Sequence, residues 1–229
     1  MKHLSELLSL GRPALQVLAA SLAMLTSVPA YAEGGATPLI LIAFGDSLTA
    51  GYQLPASAAF PAQLEVALRA KGYKVQVVNA GVSGDTTANA LERLDWVLQT
   101  PADGVILELG ANDALRGLDP KIPRTNIDKL IGQFKTKGVD ILLAGMRAPT
   151  NWGAGYKASF DAIFPDLASI HGVALYPYFL DGVRLEPTLL QTDGLHPTSK
   201  GVAEIVKRML PSVEELMTRI TERKTAAKP

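Results

Sequence analysis

The stretch LILIAFGDSLTAGYQLP, residues 39–55, begins with an apolar run that stops at Gly45, where an acid and a hydroxyl follow at once. Similar short runs, rich in Val, Ile and Leu, recur along the chain as PLILIAF (38–44), KVQVVNA (74–80), GVILELG (104–110), VDILLAGM (139–146) and VALYPYF (173–179). Most of them lack the polar alternation of a sheet with one solvated face. They predict strands that are buried on both faces.

Helical patterns fill the intervals between these runs. Apolar residues recur at helical spacing in five groups: Phe60, Leu64, Ala67 and Leu68; Leu91, Leu94 and Leu98; Ile127, Leu130, Ile131 and Phe134; Phe160, Ile163, Phe164 and Leu167; and Val202, Ile205, Val206, Met209 and Leu210. Five strands that alternate with five helices predict an α/β fold, a three-layer α/β/α sandwich around a parallel sheet. Pro211 is expected to kink or restart the last helix, because Ser212 and Glu215 have the spacing of a capping box.

The N-terminal residues have the pattern of a secretory signal. Lys2 and Arg12 give a basic start, an apolar stretch covers residues 14–28, and Ala30-Tyr31-Ala32 provides small side chains for cleavage before Glu33. We expect a signal peptide at 1–32 and a single domain at 33–229, in the periplasm or secreted. The alternative is an uncleaved membrane anchor, but the apolar stretch falls short of the ~20 residues that span a bilayer.

The composition excludes several classes of function. Lys and Arg together number 22, as do Asp and Glu, and removal of residues 1–32 leaves the charge close to neutral, so nucleic-acid binding is not expected. There is no cysteine, which excludes disulfides and a lipid-modified N-terminal cysteine. Two histidines outside the signal and scattered carboxylates give weak support for a metal site, and no metal or cofactor is expected.

Small and polar residues follow three of the predicted strands. They are Gly45-Asp46-Ser47, the segment 81–85 (GVSGD) and the segment 110–113 (GAND). In open parallel sheets, ligands bind outside the carboxyl ends of the strands. The three exits therefore mark one edge of the sheet as the place for a site.

Ser47 has two interpretations, a nucleophile or the cap of the helix that follows. A serine hydroxyl needs a base, most often histidine, to remove its proton. His3 lies in the signal, and His171 precedes a glycine at a helix end, where histidine is common. His196 remains, and Asp193 three residues earlier can hold its imidazole in one tautomer. The alternative for this segment is a solvated turn with an incidental histidine.

Acyl transfer also needs donors aimed at the oxyanion of the transition state. Gly84 and Ser47 can each offer a backbone N–H, and Asn112 can offer its side-chain amide. Gly84 alone is equally typical of a turn, and Asn112 is equally typical of a cap. Their occurrence at successive strand exits favours the catalytic interpretation.

Four blocks give the sequence a close resemblance to the SGNH, or GDSL-type, hydrolases, and within them to the group of bacterial arylesterases and thioesterases with lysophospholipase activity. The blocks are FGDSLTAGY (44–52), NAGVSGDT (79–86), LELGANDALRG (107–117) and DGLHP (193–197). The resemblance covers nearly all of residues 33–229, with the blocks in the family's order. It implies a flavodoxin-like fold with a five-stranded parallel sheet.

The resemblance also implies roles for individual residues. Ser47 would be the nucleophile, His196 the general base and then acid, and Asp193 its orienting carboxylate. The N–H groups of Ser47 and Gly84 and the amide of Asn112 would form the oxyanion hole. The implied activity is hydrolysis of carboxylic esters and possibly thioesters, with aryl esters, fatty acyl esters, lysophospholipids and acyl-CoA-type compounds as substrates.

Apolar residues near the third and fourth strand exits are candidates for substrate binding. They are Leu115, Leu118, Met146, Pro149 and Trp152, which suit an acyl or aryl group but are equally suited to packing under loops. Two alternatives to the esterase function stay open: a deacetylase of carbohydrates or small molecules with the same fold, and a non-catalytic module that binds anions at helix N-termini.

Overall fold

The computed structural model describes residues 37–227. The predicted signal peptide, 1–32, lies outside the described residues. Within them, no helix is both long enough and apolar enough to cross a membrane.

The predicted parallel sheet is confirmed. Its strands are β1 (Leu39–Gly45), β2 (Val75–Gly81), β3 (Gly104–Glu108), β4 (Asp140–Ala144) and β5 (Ala174–Tyr176). They pair in the order β2-β1-β3-β4-β5, and every pair is parallel. The register aligns Gly45 with Gly81 on one side and with Glu108 on the other. The carboxyl ends of the first three strands are therefore level with one another.

The helices are α1 (Ser47–Ala50), α2 (Phe60–Ala70), α3 (Thr87–Glu92), α4 (Leu94–Val97), α5 (Ala111–Leu115), α6 (Lys121–Thr136), α7 (Ala154–Asp161), α8 (Ile163–His171) and α9 (Ser199–Ala226). Helices α2 and α9 pack together on one face of the sheet, and α3, α6 and α8 pack in sequence on the other. This gives the three expected layers. The strand order reverses between β1 and β3, and a doubly wound sheet places ligands at that point.

Strands β1 and β3 form the centre of the core. All residues of β3 are buried, and β1 is buried from Leu41 onwards. Phe44 contacts Phe134 of α6 edge-on at 5.8 Å between ring centroids. The two strands that carry the central part of the site are thus buried towards their carboxyl ends, which gives the site a rigid base.

Three helical segments differ from the sequence prediction. The pattern of Leu91 to Leu98 forms two helices rather than one, with Arg93 between them, and the pattern of Phe160 to Leu167 is likewise divided at Ala162. Helix α9 does not restart at Ser212 but continues through Pro211. Proline removes one intrahelical hydrogen bond. The buried stripe on α9 runs from Met209 to Val213 without interruption, and this packing offsets the loss.

Candidate active site

Ser47 is the first residue of α1, and it is not the cap of that helix. The cap is Asp46, whose Oδ1 accepts the N–H of Leu48 at 3.0 Å. The Ser47 hydroxyl is consequently free of the capping role that the sequence left open. The residue is 8% exposed, at the edge of a cavity.

The imidazole of His196 bridges Ser47 and Asp193. His196 Nε2 lies 2.9 Å from Ser47 Oγ, and Nδ1 lies 2.6 Å from Asp193 Oδ2. Asp193 Oδ1 also accepts the backbone N–H groups of Leu195 at 2.9 Å and His196 at 3.0 Å. With Nδ1 protonated towards the carboxylate, Nε2 is left as the acceptor for the serine proton.

Asp193 is held in its ionised form. Slight burial raises its pKa, but the hydrogen bonds from the backbone and ring of His196 and from the backbone of Leu195 outweigh that effect and lower the pKa to about 2. The side chain is 35% exposed, so solvent also stabilises the charge. The carboxylate is therefore a constant negative partner for the imidazole at neutral pH.

Two further contacts fix the turn that carries His196. The ring of Tyr52 lies 4.4 Å from the imidazole between centroids. Gln191 Nε2 donates to the carbonyls of Tyr52 and Pro197, at 2.9 Å in each case. These bonds connect the segment after α1 to the segment before α9, so the serine and the histidine are positioned relative to each other by direct links.

Asn112 lies beside this arrangement, on α5, and its amide is already hydrogen-bonded. Nδ2 donates to Asp46 Oδ2 at 3.1 Å and to the carbonyl of Asp85 at 3.0 Å. Gly84 lies in the same turn as Asp85, and its carbonyl accepts from Arg116 Nη2 at 3.0 Å. Among residues 37–227, no acceptor is bonded to the backbone N–H of Ser47 or of Gly84.

A pair of buried carboxyl groups, Asp46 and Glu108, lies beneath the serine. Both residues are 0% exposed. Glu108 Oε2 accepts from Thr49 Oγ1 at 2.7 Å and from the backbone N–H of Asp46 at 3.4 Å, while its Oε1 has no partner among the described residues. Burial, with a contribution from the Asp46 charge, raises the pKa of Glu108 well above its usual 4.5. Burial therefore favours the neutral form of Glu108.

Burial also raises the pKa of Asp46, to about 7, against the hydrogen bonds from Leu48 and Asn112 and the nearby charge of His196.

Glu108 was not singled out in the sequence as a site residue. The available signal is a charged residue inside the apolar run GVILELG, where a strand buried on both faces has no solvent for a charge.

The base of the site has no room for additional atoms. A Cβ on Gly45 would come within 2.1 Å of Thr49 Oγ1 and 2.6 Å of Glu108 Oε2. A Cβ on Gly81 would lie 2.3 Å from the backbone nitrogen of Ala50. Both glycines are thus required by close approach, and α1 sits directly on the ends of β1, β2 and β3.

Arg93 joins the ends of β1 and β2. Its guanidinium donates to the carbonyls of Ala80 and Gly45, each at 2.9 Å, and its Nε pairs with Asp85 Oδ2 at 2.6 Å. It also stacks over Phe44, with Cζ 4.3 Å from the ring centroid. The carboxyl group of Asp85 thus has a structural role next to the turn that carries Gly84.

A cavity of about 620 Å³ opens above Ser47 and His196. Of the predicted substrate-binding residues, Leu115, Met146 and Pro149 line it, whereas Leu118 and Trp152 do not. The wall also includes residues that were not named from the sequence: Arg147, Tyr178, Arg184, Leu185 and Leu195. Arg147 directly follows the apolar run 139–146, so the sequence alone could have indicated its position at the fourth strand exit.

Trp152 instead binds the segment that carries Asn112 and Leu115. Its Nε1 donates to the carbonyl of Ala114 at 2.8 Å, and its ring lies against Gly117, where an added Cβ would come 2.7 Å from the indole. Tyr156 donates to the carbonyl of Leu118 at 2.9 Å. The physical reason is that a partly buried indole N–H needs an acceptor, and it finds one in the Ala114 carbonyl, which also accepts the backbone N–H of Gly117 at 3.1 Å.

Comparison with known proteins gives a consistent class, that of ester-hydrolysing enzymes. The chain is 42% identical over 174 residues to an arylesterase of Vibrio mimicus, covering 74% of this chain and 87% of the relative. It is 38% identical over 178 residues to thioesterase 1/protease 1/lysophospholipase L1 of Escherichia coli K12, covering 77% of this chain and 84% of that protein. These relatives do not favour the deacetylase or the anion-binding alternative.

The crystal structure of AlinE4, an SGNH-hydrolase family esterase, superimposes with a TM-score of 0.68 at 44% identity and covers 79% of this chain and 97% of AlinE4. Residues 43–203 match the GDSL-like lipase/acylhydrolase family. The chain belongs to this family, and it is an enzyme that hydrolyses ester bonds.

Proposed function

We propose that Ser47 is the nucleophile of this hydrolase, with His196 as general base and Asp193 as the carboxylate that orients it. Ser47 Oγ attacks the ester carbonyl carbon as His196 Nε2 takes the hydroxyl proton. When the tetrahedral intermediate collapses, His196 returns that proton to the leaving oxygen or sulfur, and an acyl-enzyme remains. Water then attacks the acyl carbon as His196 Nε2 takes one of its protons. His196 returns this proton to Ser47 Oγ as the carboxylic acid leaves. The observation that carries this proposal is the chain of contacts from Asp193 through His196 to Ser47, 2.6 and 2.9 Å long.

The proposed oxyanion hole consists of the N–H groups of Ser47 and Gly84 and the amide of Asn112. Asn112 keeps its bond to Asp46, and its second hydrogen leaves the carbonyl of Asp85 for the oxyanion. A neutral acceptor is thereby replaced by a charged one in the transition state only, which is the condition for a rate effect rather than a binding effect. Arg116 and Arg93 hold the turn of Gly84 and Asp85 while this exchange occurs.

A fluorophosphonate probe tests the nucleophile, since it reacts only with an activated serine. We expect one label per chain, located on Ser47 by peptide mass spectrometry, and no label on Ser47→Ala. Ser83→Ala is the matched control, because Ser83 is an exposed serine in the turn after β2. Labelling that persists in Ser47→Ala, or that disappears in Ser83→Ala alone, would overturn the assignment.

The cavity supports substrates with an apolar acyl or aryl group. Leu115, Met146, Ala148, Pro149 and Leu180 provide the apolar part of its wall. We expect kcat/KM to be higher for the nitrophenyl ester of octanoic acid than for that of acetic acid, because a longer chain buries more apolar surface. An enzyme that prefers the acetyl ester would instead be a deacetylase-type hydrolase.

We propose further that the protein is exported and processed between Ala32 and Glu33. The support is the small-residue motif Ala30-Tyr31-Ala32 after the apolar stretch. The intact mass of protein recovered from the periplasm or the medium decides this, with a chain starting at Glu33 expected. A chain that retains Met1 and sediments with membranes would contradict it.

A further inference from the structure

Two arginines in the cavity wall have no acidic partner among the residues that the structure describes. Arg147 and Arg184 are both exposed, both line the cavity of Ser47 and His196, and neither forms an ion pair with any carboxylate in residues 37–227. The third cation of the wall, Lys157, differs from them because it is paired with Asp161. The cavity therefore carries two positive charges that no carboxylate in residues 37–227 neutralises.

Arg147 lies against Tyr178, and Arg184 lines the same cavity. The guanidinium of Arg147 lies 4.6 Å from the centre of the Tyr178 ring. Burial raises the pKa of Tyr178, and the positive charges of Arg184 and Arg147 oppose this rise. The two acidic residues next to Arg184 in the sequence have other partners: Glu186 accepts from Thr188, and Asp181 is paired with Arg208. The wall thus presents two guanidinium groups that form no ion pair with any carboxylate of the described residues.

The position of Arg184 indicates which part of a substrate it meets. Its Nη1 reaches the carbonyl of Gly194 at 3.4 Å, and Gly194 lies in the turn that carries Asp193 and His196. A general acid protonates the leaving group, so the leaving alcohol or thiol must lie on the His196 side of the scissile bond. Arg184 therefore borders the leaving-group side of the cavity, and Arg147 lies in the wall of the same cavity.

We propose that Arg147 and Arg184 form a subsite for a phosphate group carried by the alcohol or thiol part of the substrate. This inference rests on the proposed roles of Ser47 and His196. A guanidinium fork binds phosphate oxygens in pairs, and phosphate has enough oxygens to engage two forks at once. The exposed side chains of Leu185 and Leu195 lie in the same wall and suit the apolar part of such an amphiphile.

Matched substrates that differ only in the phosphate test the subsite. One pair is 1-octanoylglycerol 3-phosphate and 1-octanoylglycerol, which represents a lipid headgroup. The other is octanoyl-4′-phosphopantetheine and octanoyl-pantetheine, which represents an acyl thioester. All are used as monomers, and the readout is the ratio of kcat/KM between the phosphate-bearing and the neutral member.

We expect the phosphate-bearing member of at least one pair to be hydrolysed about tenfold more efficiently by the wild type. Arg147→Gln and Arg184→Gln should each lower this ratio by about threefold, and the effect should appear in KM rather than in kcat. The double variant should bring the ratio close to one. Raising the salt concentration should lower the ratio in the wild type but not in the double variant. The pair that shows the effect identifies the source of the phosphate.

Arg219→Gln is the matched control, since it removes the same charge from α9 at a position that does not line the cavity. A wild type that does not favour the phosphate, or a ratio that the double variant leaves unchanged, would overturn the inference. If Ser47 is still labelled and neutral esters are still cleaved, only the subsite fails. A wild type that the fluorophosphonate probe does not label would instead contradict the proposed function on which the subsite rests.

Discussion

His196 Nε2 and Ser47 Oγ lie 2.9 Å apart, although 149 positions separate the two residues in the sequence. Their proximity depends on two loops, one after β1 and one before α9, that are joined by the bonds from Gln191. Because Asp193 fixes the other side of the imidazole, a change at any one of these residues alters the geometry of the proton transfer.

Asp193→Asn should lower kcat by about 10²- to 10⁴-fold, because an amide holds the imidazole less well in the productive tautomer. The carboxylate has a pKa of about 2, below its usual 3.8, so its contribution to stability is present above pH 3.8 and is lost as the pH falls towards 2. The variant should therefore lose stability relative to the wild type at pH 7 but not at pH 2. Paired thermal melts and steady-state kinetics check both effects. Asp95→Asn, an exposed site on α4, is the control.

Asn112→Ala should lower kcat by about 10²- to 10³-fold and change KM much less, since the amide acts on the oxyanion and little on the bound ester. Asn126→Ala removes an amide that only donates to Thr87 Oγ1, at 3.0 Å, and should cost stability without a comparable loss of kcat. Kinetic constants and melting temperatures of the two purified variants provide the comparison. An Asn112→Ala variant that melts early yet turns over normally would exclude the amide from the oxyanion hole.

Glu108→Gln should flatten the pH dependence of stability. The pKa of Glu108 lies well above 4.5 in the folded protein, so the folded chain holds a proton that the unfolded chain releases above that pH. Unfolding therefore becomes more favourable as the pH rises through the range between the two values. Glutamine cannot release that proton, and the melting temperature of the variant should fall less than that of the wild type between pH 5 and 8. Parallel curves for the two proteins would contradict protonation of Glu108.

Gly117→Ala should destabilise the wild type more than it destabilises a Trp152→Ala background. An alanine at a φ of +64° is strained in both backgrounds, but its Cβ meets the indole only when Trp152 is present. Unfolding free energies of the four proteins in a double-mutant cycle measure the coupling, expected at about 1 kcal/mol. By itself, Trp152→Phe keeps an aromatic ring but loses the N–H bond to Ala114, and it should lower the free energy of unfolding by about 1 kcal/mol. Additive effects in the cycle would show that the indole does not contact Gly117.

Local patterns in the sequence were sufficient for the sheet and for the edge where the site lies. Strand identity follows from apolar runs, and these are a local property. The strand limits were less accurate. The last run was expected to span 173–179 but forms a strand only at Ala174–Tyr176, because Pro177 has no N–H for a ladder.

The remaining features depend on contacts between distant residues. The helical pattern from Leu91 to Leu98 gives no sign of the break at Arg93, whose guanidinium reaches carbonyls on β1 and β2. For Trp152 the sequence allows cavity lining and packing under a loop equally, because an apolar ring near a strand exit is typical of both. Its hydrogen bond to Ala114, 38 positions away, can be found only in three dimensions.

The contrast between the base and the wall of the site has a consequence for how this enzyme can diversify. At the base, Gly45 and Gly81 leave no space for an added methyl group, so variation there displaces α1 together with the serine. The wall positions Leu115, Leu185 and Arg184 are exposed side chains that can be exchanged without repacking the core. A mutant library confined to the wall should therefore be rich in folded enzymes with altered substrate range, whereas a library at the base should yield mostly inactive clones.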